Sequence, residues 1–119
     1  MNNKERQKII NDNLRLLDPY SRHGSYVNQI RINIGNSYEH ERLKFDECFR
    51  LKKKGYDFFT EAEFPNGGRA DIVDLVNGEI IEILHSETIE EAMDKTKKYP
   101  SDLFVRFIHT HDALKKVME

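Results

Sequence analysis

Apolar residues recur at roughly helical spacing between positions 3 and 17, as Ile9, Ile10, Leu14, Leu16 and Leu17, and Asp18-Pro19 then supplies a stop. This predicts a first helix. From Tyr26 to Ile34 the pattern turns to alternation, with Ile30, Ile32 and Ile34 against Gln29, Arg31 and Asn33, which predicts a strand serving as packing, an arm or a dimer contact. Helical spacing returns after Asn36-Ser37, an N-cap with Glu39 in capping-box position, and runs to about Lys54 before Gly55 ends it. One stripe of this second helix reads Glu41, Phe45, Cys48 and Lys52, so Glu41 continues an otherwise apolar face.

Residues 58 to 86, FFTEAEFPNGGRADIVDLVNGEIIEILHS, have the alternation and turn residues of a three-stranded antiparallel meander. Asn77-Gly78 predicts a two-residue type I′ turn, because both central positions need positive φ. That turn sets Val76 opposite Glu79, Val73 opposite Glu82 and Asp71 opposite Leu84, leaving Asp71 and Glu82 as a diagonal pair with Cβ atoms roughly 7 Å apart. At Pro65-Asn66-Gly67-Gly68 two registers stay open. A two-residue loop turns Glu61 and Glu63 away from Asp71, and a bulged loop turns them toward it.

Thr88 or Ser86 caps a helix through about Lys98, with Ile89, Ala92, Met93 and Thr96 as its inward face and Tyr99-Pro100 as its end. Leu103 to Ile108 is a short strand apolar on both faces, as expected in a sheet interior, and the crossover helix makes it parallel to the strand of Glu82. Residues 112 to 118 predict a terminal helix. The whole is one domain, divided into an N-terminal extension (1–36), a core (37–108) and a C-terminal helix (109–119).

Composition narrows the function classes. No apolar run reaches transmembrane length, and the polar start MNNKERQK has no apolar segment of a signal peptide, so a cytoplasmic protein without a membrane partner is expected. The single Cys48 excludes an intrachain disulfide and a cysteine zinc cluster. A net charge of −2 gives no global basic field, yet Lys52-Lys53-Lys54 and Lys95-Lys97-Lys98 flank an acidic meander. An acidic centre with basic flanks suits a metal site that also holds a phosphate backbone, although solvated helix faces account for each cluster equally well. His109 and His111 share one side of a strand end, while His23 and His40 show no zinc-ligand spacing.

Two carboxylates on adjacent strands repel unless a counter-charge lies between them, and Mg²⁺ is usually held by one or two carboxylates plus waters and substrate phosphates. The order of helix, three-strand meander, helix and strand, with acids at Glu41, Asp71 and Glu82, resembles the restriction-endonuclease-like superfamily of PD-(D/E)XK nucleases. The nearest likeness is to its small archaeal Holliday-junction-resolvase-like members. Arg69-Ala70-Asp71-Ile72-Val73-Asp74-Leu75 looks like the strand of the first metal-binding acid, and Ile80-Ile81-Glu82-Ile83-Leu84 like the strand of the E-x-K motif. The resemblance covers residues 37–108 and implies an α/β core that is α+β mixed in character. It also implies a DNA substrate, branched DNA included, and a homodimer.

By this resemblance Asp71, Glu82 and the Ile83 carbonyl would hold Mg²⁺, or Mn²⁺ in its place, with Glu41 assisting. Arg69, Lys52, Lys53 and Lys98 would contact nucleic acid. The motif lysine falls at position 84, where this chain has Leu84. Lys97 or Lys98 on the following helix is the expected stand-in, because alternation turns His85 away from Glu82. Two further readings stay open. One is a nucleic-acid-binding or assembly module that kept the fold and lost the reaction, and the other is a small scaffold of a mobile element or virus that dimerises through its N-terminal segment.

Overall fold

The computed structural model describes residues 1–19 and 26–110. Their elements run α1 (Asn3–Leu14), α2 (Tyr38–Lys53), β1 (Phe58–Glu63), β2 (Arg69–Asp74), β3 (Glu79–Leu84), α3 (Ile89–Thr96) and β4 (Phe104–His109). The four strands form one mixed sheet in the order β1-β2-β3-β4, antiparallel except for the β3–β4 pair. This is the expected sequence of helix, meander, helix and parallel strand. No helix among the described residues is long and apolar enough to cross a membrane.

Each helix starts where a short polar side chain frees it from the preceding loop. Ser37 accepts from the His40 N–H at 3.1 Å, and Thr88 accepts from the Glu91 N–H at 3.1 Å while its hydroxyl reaches the Glu91 carboxylate at 3.2 Å. Helix α2 covers one face of the sheet, where Cys48 and Leu51 pack on Phe58, Ile72, Ile81 and Ile83. The second core holds Ile10 and Leu17, the strand residues Phe59, Val73 and Ile80, and Tyr99 and Leu103 from the α3–β4 connection. The sheet is thus covered on both faces.

The structure departs from the expected pattern at several places, each with a local cause. Residues 26–36 form no strand. Asn28 takes φ 65°, which interrupts extension, and its amide side chain binds Asp57 and the Phe58 N–H at 2.8 and 3.1 Å. The segment instead lies along β1 through side chains: Thr60 Oγ1 accepts from the Arg31 N–H at 2.9 Å, and the Arg31 guanidinium reaches the carbonyls of Thr60 and Glu61. Such a cover blunts the exposed edge of β1.

The β2–β3 turn is longer than two residues. Asp74 pairs with Glu79, so Leu75 to Gly78 form the loop, and only Gly78 (φ 67°) is left-handed there. Asp74 Oδ1 accepts from the Val76 and Asn77 N–H groups, both at 3.0 Å, which sets an Asx turn in place of the type I′ turn. Register moves by two, so every side chain keeps its face and Asp71 comes directly opposite Glu82.

Helix α3 buries only Ala92, leaving Ile89 and Met93 exposed. Strand β4 is an edge strand, half-buried rather than interior, and Phe104 at its start is 76% exposed. The predicted terminal helix, His23 and His111 lie outside the described residues.

Candidate functional site

Neighbouring strands β2 and β3 bring Asp71 and Glu82 together. The Asp71 main-chain N–H lies 3.4 Å from Glu82 Oε1, and the Ile83 N–H donates to Asp71 Oδ2 at 2.8 Å. Around them stand His40 and Glu41 from the first turn of α2, Lys44 one turn on, Glu61 of β1 and Tyr99 after α3.

Loop β1–β2 resolves the open register. Phe64 donates to the Gly68 carbonyl at 2.8 Å across a three-residue loop, and Thr60↔Ile72 and Ala62↔Ala70 pair on either side of Glu61 and Asp71. Glu61 is therefore aligned with Asp71. Its φ is 50°, a left-handed value that is rare for a residue with a side chain and costs on the order of 1 kcal/mol. Glu61 Oε1 is buried without a hydrogen bond, 3.6 Å from Lys44 Nζ.

Glu41 is held on both oxygens. Oε2 accepts from Lys44 Nζ at 2.8 Å and the Asn33 N–H at 3.0 Å, while Oε1 meets Asn36 Nδ2 at 2.9 Å and His40 Nδ1 at 2.8 Å. Burial pushes its pKa up, but Lys44 first and then the three other donors bring it down to about 2. His40 reaches the other way, Nε2 lying 3.4 Å from Asp71 Oδ2. Burial disfavours the imidazolium, yet Asp71 and Glu41 outweigh it and raise the His40 pKa. A continuous chain thus runs Lys44, Glu41, His40, Asp71.

Glu82 behaves in the opposite way. Burial and then the Asp71 charge push its pKa up to about 8, against the pull of the Tyr99 hydroxyl at 2.6 Å and the Asp71 N–H. The same hydroxyl lies 3.0 Å from the Arg69 carbonyl, and Tyr99 is itself held by Phe64, ring to ring at 5.2 Å. Burial raises the Tyr99 pKa as well.

Of the residues expected from sequence, Asp71, Glu82 and Ile83 meet, and Glu41 joins them through His40. Lys97 does not: it is 78% exposed and paired with Asp94 at 2.8 Å. Arg69 and Lys98 line one cleft beside Tyr99, whereas Lys52 and Lys53 sit at the far end of α2, about 17 Å along its axis from Glu41. His85 turns away as expected, with Nδ1 on Thr110 Oγ1 at 2.9 Å. Leu84 is buried at 2% exposure.

The expected inward stripe of α2 is off by one position. The buried residues are His40, Lys44, Cys48 and Leu51, and Phe45 and Phe49 face outward at 51% and 59% exposure. A histidine and a lysine at i and i+4, in line with Cys48 and Leu51, are the signal that marks this face.

Two carboxyls facing each other across adjacent strands, with the pKa of one raised well above its ordinary range, form a site short of positive charge, and hard oxygen donors fit Mg²⁺. Among the described residues no group of three or more His, Cys, Asp or Glu side chains is arranged to hold a metal. An ion at Asp71 and Glu82 would draw its other ligands from main chain, water and substrate oxygens. No family model, curated protein or solved structure matches the chain.

Proposed function

We propose that this chain is a Mg²⁺-dependent endonuclease-like domain that hydrolyses phosphodiester bonds of DNA, branched DNA included, on a restriction-endonuclease-like core. The observation that carries the reading is the placement of Asp71 beside Glu82 on adjacent strands, each carboxylate bound to a main-chain N–H of the other's strand, where a cation would relieve the repulsion that helps raise the Glu82 pKa. The order of helix, antiparallel meander, helix and parallel strand supports it.

Asp71, Glu82 and the Ile83 main chain would hold Mg²⁺ or Mn²⁺, which when bound would supply Lewis-acid polarisation of the phosphodiester and an acidified water. His40 is the one α2 side chain that touches Asp71, and its raised pKa favours an imidazolium able to offset negative charge developing on the phosphoryl oxygens. Glu41 is a positioning residue that fixes the His40 ring through Nδ1, and Lys44 fixes Glu41. The lysine missing at Leu84 is thus answered from α2 rather than by Lys97. Arg69 and Lys98 would contact the DNA backbone near the acids, with Lys52 and Lys53 extending the track. Ile32, Ile34, Tyr38, Phe45 and Phe49, all more than half exposed, support a homodimer formed through this surface.

The second reading, a binding or assembly module without catalysis, is favoured by buried Leu84 and by the full engagement of Lys44 with Glu41 and the Arg31 carbonyl. Incubation with supercoiled, single-stranded and branched DNA plus Mg²⁺ or Mn²⁺, beside Asp71→Ala and Glu82→Ala, decides between them. Cleavage that both variants lose supports the enzyme. Salt-dependent binding without cleavage supports the module, and cleavage undiminished in both variants rejects the assigned site.

A further inference from the structure

Gly67, Gly68, Arg69, Asp94, Lys95, Lys98 and Tyr99 enclose a cleft of about 360 Å³ between the β1–β2 turn and the end of α3. The turn is pressed against the helix end. A Cβ added at Gly68 would stand 3.1 Å from Tyr99 Cε1 and 3.2 Å from Lys98 Cβ, so a larger residue there would have to push the helix end back by a few tenths of an ångström. Cations dominate the lining. Lys95 is paired with Glu87 at 3.0 Å, and Asp94, the acid in the wall, is paired with Lys97 at 2.8 Å. Arg69 and Lys98 are exposed and form no ion pair with any described residue. The floor is Tyr99, whose hydroxyl touches Glu82, so the cleft lies one side chain from the acid pair.

The geometry points to a phosphate-binding subsite in this cleft, in which Arg69 and Lys98 hold a non-scissile phosphate of the nucleic-acid strand whose neighbouring linkage lies at Asp71 and Glu82. A guanidinium offers a planar fork for two phosphate oxygens and an ammonium adds a point charge from the opposite wall. Asp94, paired with Lys97, is also within electrostatic reach of Lys98, so the three cations of the lining outnumber one carboxylate. The inference deepens the proposed function: it rests on the nucleic-acid partner of that reading but on neither its metal nor its chemistry. A phosphate within a strand and a phosphate at a strand end present the same oxygens, and the test separates them.

Anisotropy with fluorescent 20-nucleotide single strands, bearing a 5′-phosphate or a 5′-hydroxyl, is measured in EDTA from 50 to 300 mM KCl. The proteins are wild type, Arg69→Ala/Lys98→Ala and the charge control Lys4→Ala. The double variant is expected to lose about tenfold in affinity at 100 mM and to lower the salt slope by about one, while Lys4→Ala binds as wild type. Equal affinity for both strands assigns an internal phosphate, and a preference for the phosphorylated strand assigns a terminal one. Inorganic phosphate is also expected to shift the Gly67 and Gly68 amide resonances saturably in wild type and not in the double variant. Binding and slope unchanged in the double variant, or no binding of either strand by wild type, overturns the subsite. If DNA is still cut normally by the double variant, the cleft fails and the nuclease stands; if the salt slope responds but nothing is cut, the reverse holds.

Discussion

Asp71 and Glu82 grip one another across neighbouring strands β2 and β3, each carboxylate taking an N–H from the other's strand: Ile83 donates to Asp71 at 2.8 Å and Asp71 lies 3.4 Å from Glu82 Oε1. Side-chain acceptors here stand in for main-chain carbonyls, which fixes both acids against the sheet. Burial first, and the like charge of Asp71 second, push the Glu82 pKa up to about 8.

That raised pKa makes stability pH-dependent. The folded value lies above the ordinary 4.5, so between the two the folded chain holds a proton the unfolded chain has released. The contribution of Glu82 is therefore full below about 4.5 and is lost as pH rises through about 8. Glu82→Gln, which mimics the protonated acid, should melt close to wild type at pH 5 and several degrees above it at pH 9. Thermal melts across this range check it, and a constant difference between the two proteins rejects the raised Glu82 pKa.

Metal binding should run in the opposite direction. An ion at the acid pair displaces the Glu82 proton, so affinity for Mg²⁺ or Mn²⁺ should rise by up to about tenfold per pH unit toward pH 8 and then level. Calorimetry at pH 6.5, 7.5 and 8.5, in buffers of different ionisation enthalpy, reads both the affinity and the released proton. Asp71→Asn should abolish the binding, and binding that survives it places the metal elsewhere.

Lys44 is the most deeply buried charge described, with no side-chain exposure, and its ammonium holds Glu41 at 2.8 Å. Lys44→Met leaves Glu41 and Glu61 without that cation in a buried setting and should cost about 3 kcal/mol, read by urea unfolding. Adding Glu41→Gln removes one of the stranded charges and should recover a third or more of the loss. Additive losses in the double variant would show that the two residues act independently.

The elements of the fold were legible because their periods are simple, and three helices, a meander and a parallel fourth strand stand where apolar spacing put them. Details set by polar side chains were not. Asn28 and Thr60 turn an alternating stretch into a tethered cover for β1, and Asp74 lengthens the turn that Asn77-Gly78 suggests. Because that shift is by an even number of residues, Asp71 and Glu82 keep the shared face that the sequence predicts, directly opposite instead of diagonal. The helix side of the site was read one position away, since Phe45 looks like a core residue while Lys44 does not. Lys44 is buried only because Glu41 and the Arg31 carbonyl receive its hydrogen bonds, and the carbonyl belongs to a loop whose path the pattern did not reveal.

The exposed row Ile32, Ile34, Tyr38, Phe45 and Phe49 borders a groove of about 530 Å³ lined by Ile30, Tyr38, Glu41 and Arg42 among others. Protruding isoleucines beside a groove allow two copies to dock on the same patch about a two-fold axis. Sedimentation should show a dimer at tens of micromolar, and Ile34→Glu, at a side chain 95% exposed, should yield a folded monomer. A wild type that stays monomeric rejects this interface.

Tyr99 provides the sharpest probe of the acid pair, because removing its hydroxyl spares the packing against Phe64. The hydroxyl lies 2.6 Å from Glu82 and favours the ionised carboxylate, partly opposing burial and the Asp71 charge. Tyr99→Phe should therefore raise the Glu82 pKa further, moving the midpoint of Mg²⁺ binding up in pH by about one unit and weakening binding at pH 7 by up to about tenfold. Stability should fall by about 1 kcal/mol, since the variant removes the single O–H that Glu82 and the Arg69 carbonyl share. A variant that lowers stability but leaves the pH midpoint in place would mean that Tyr99 serves the Arg69 carbonyl alone and has no part in setting the charge of Glu82.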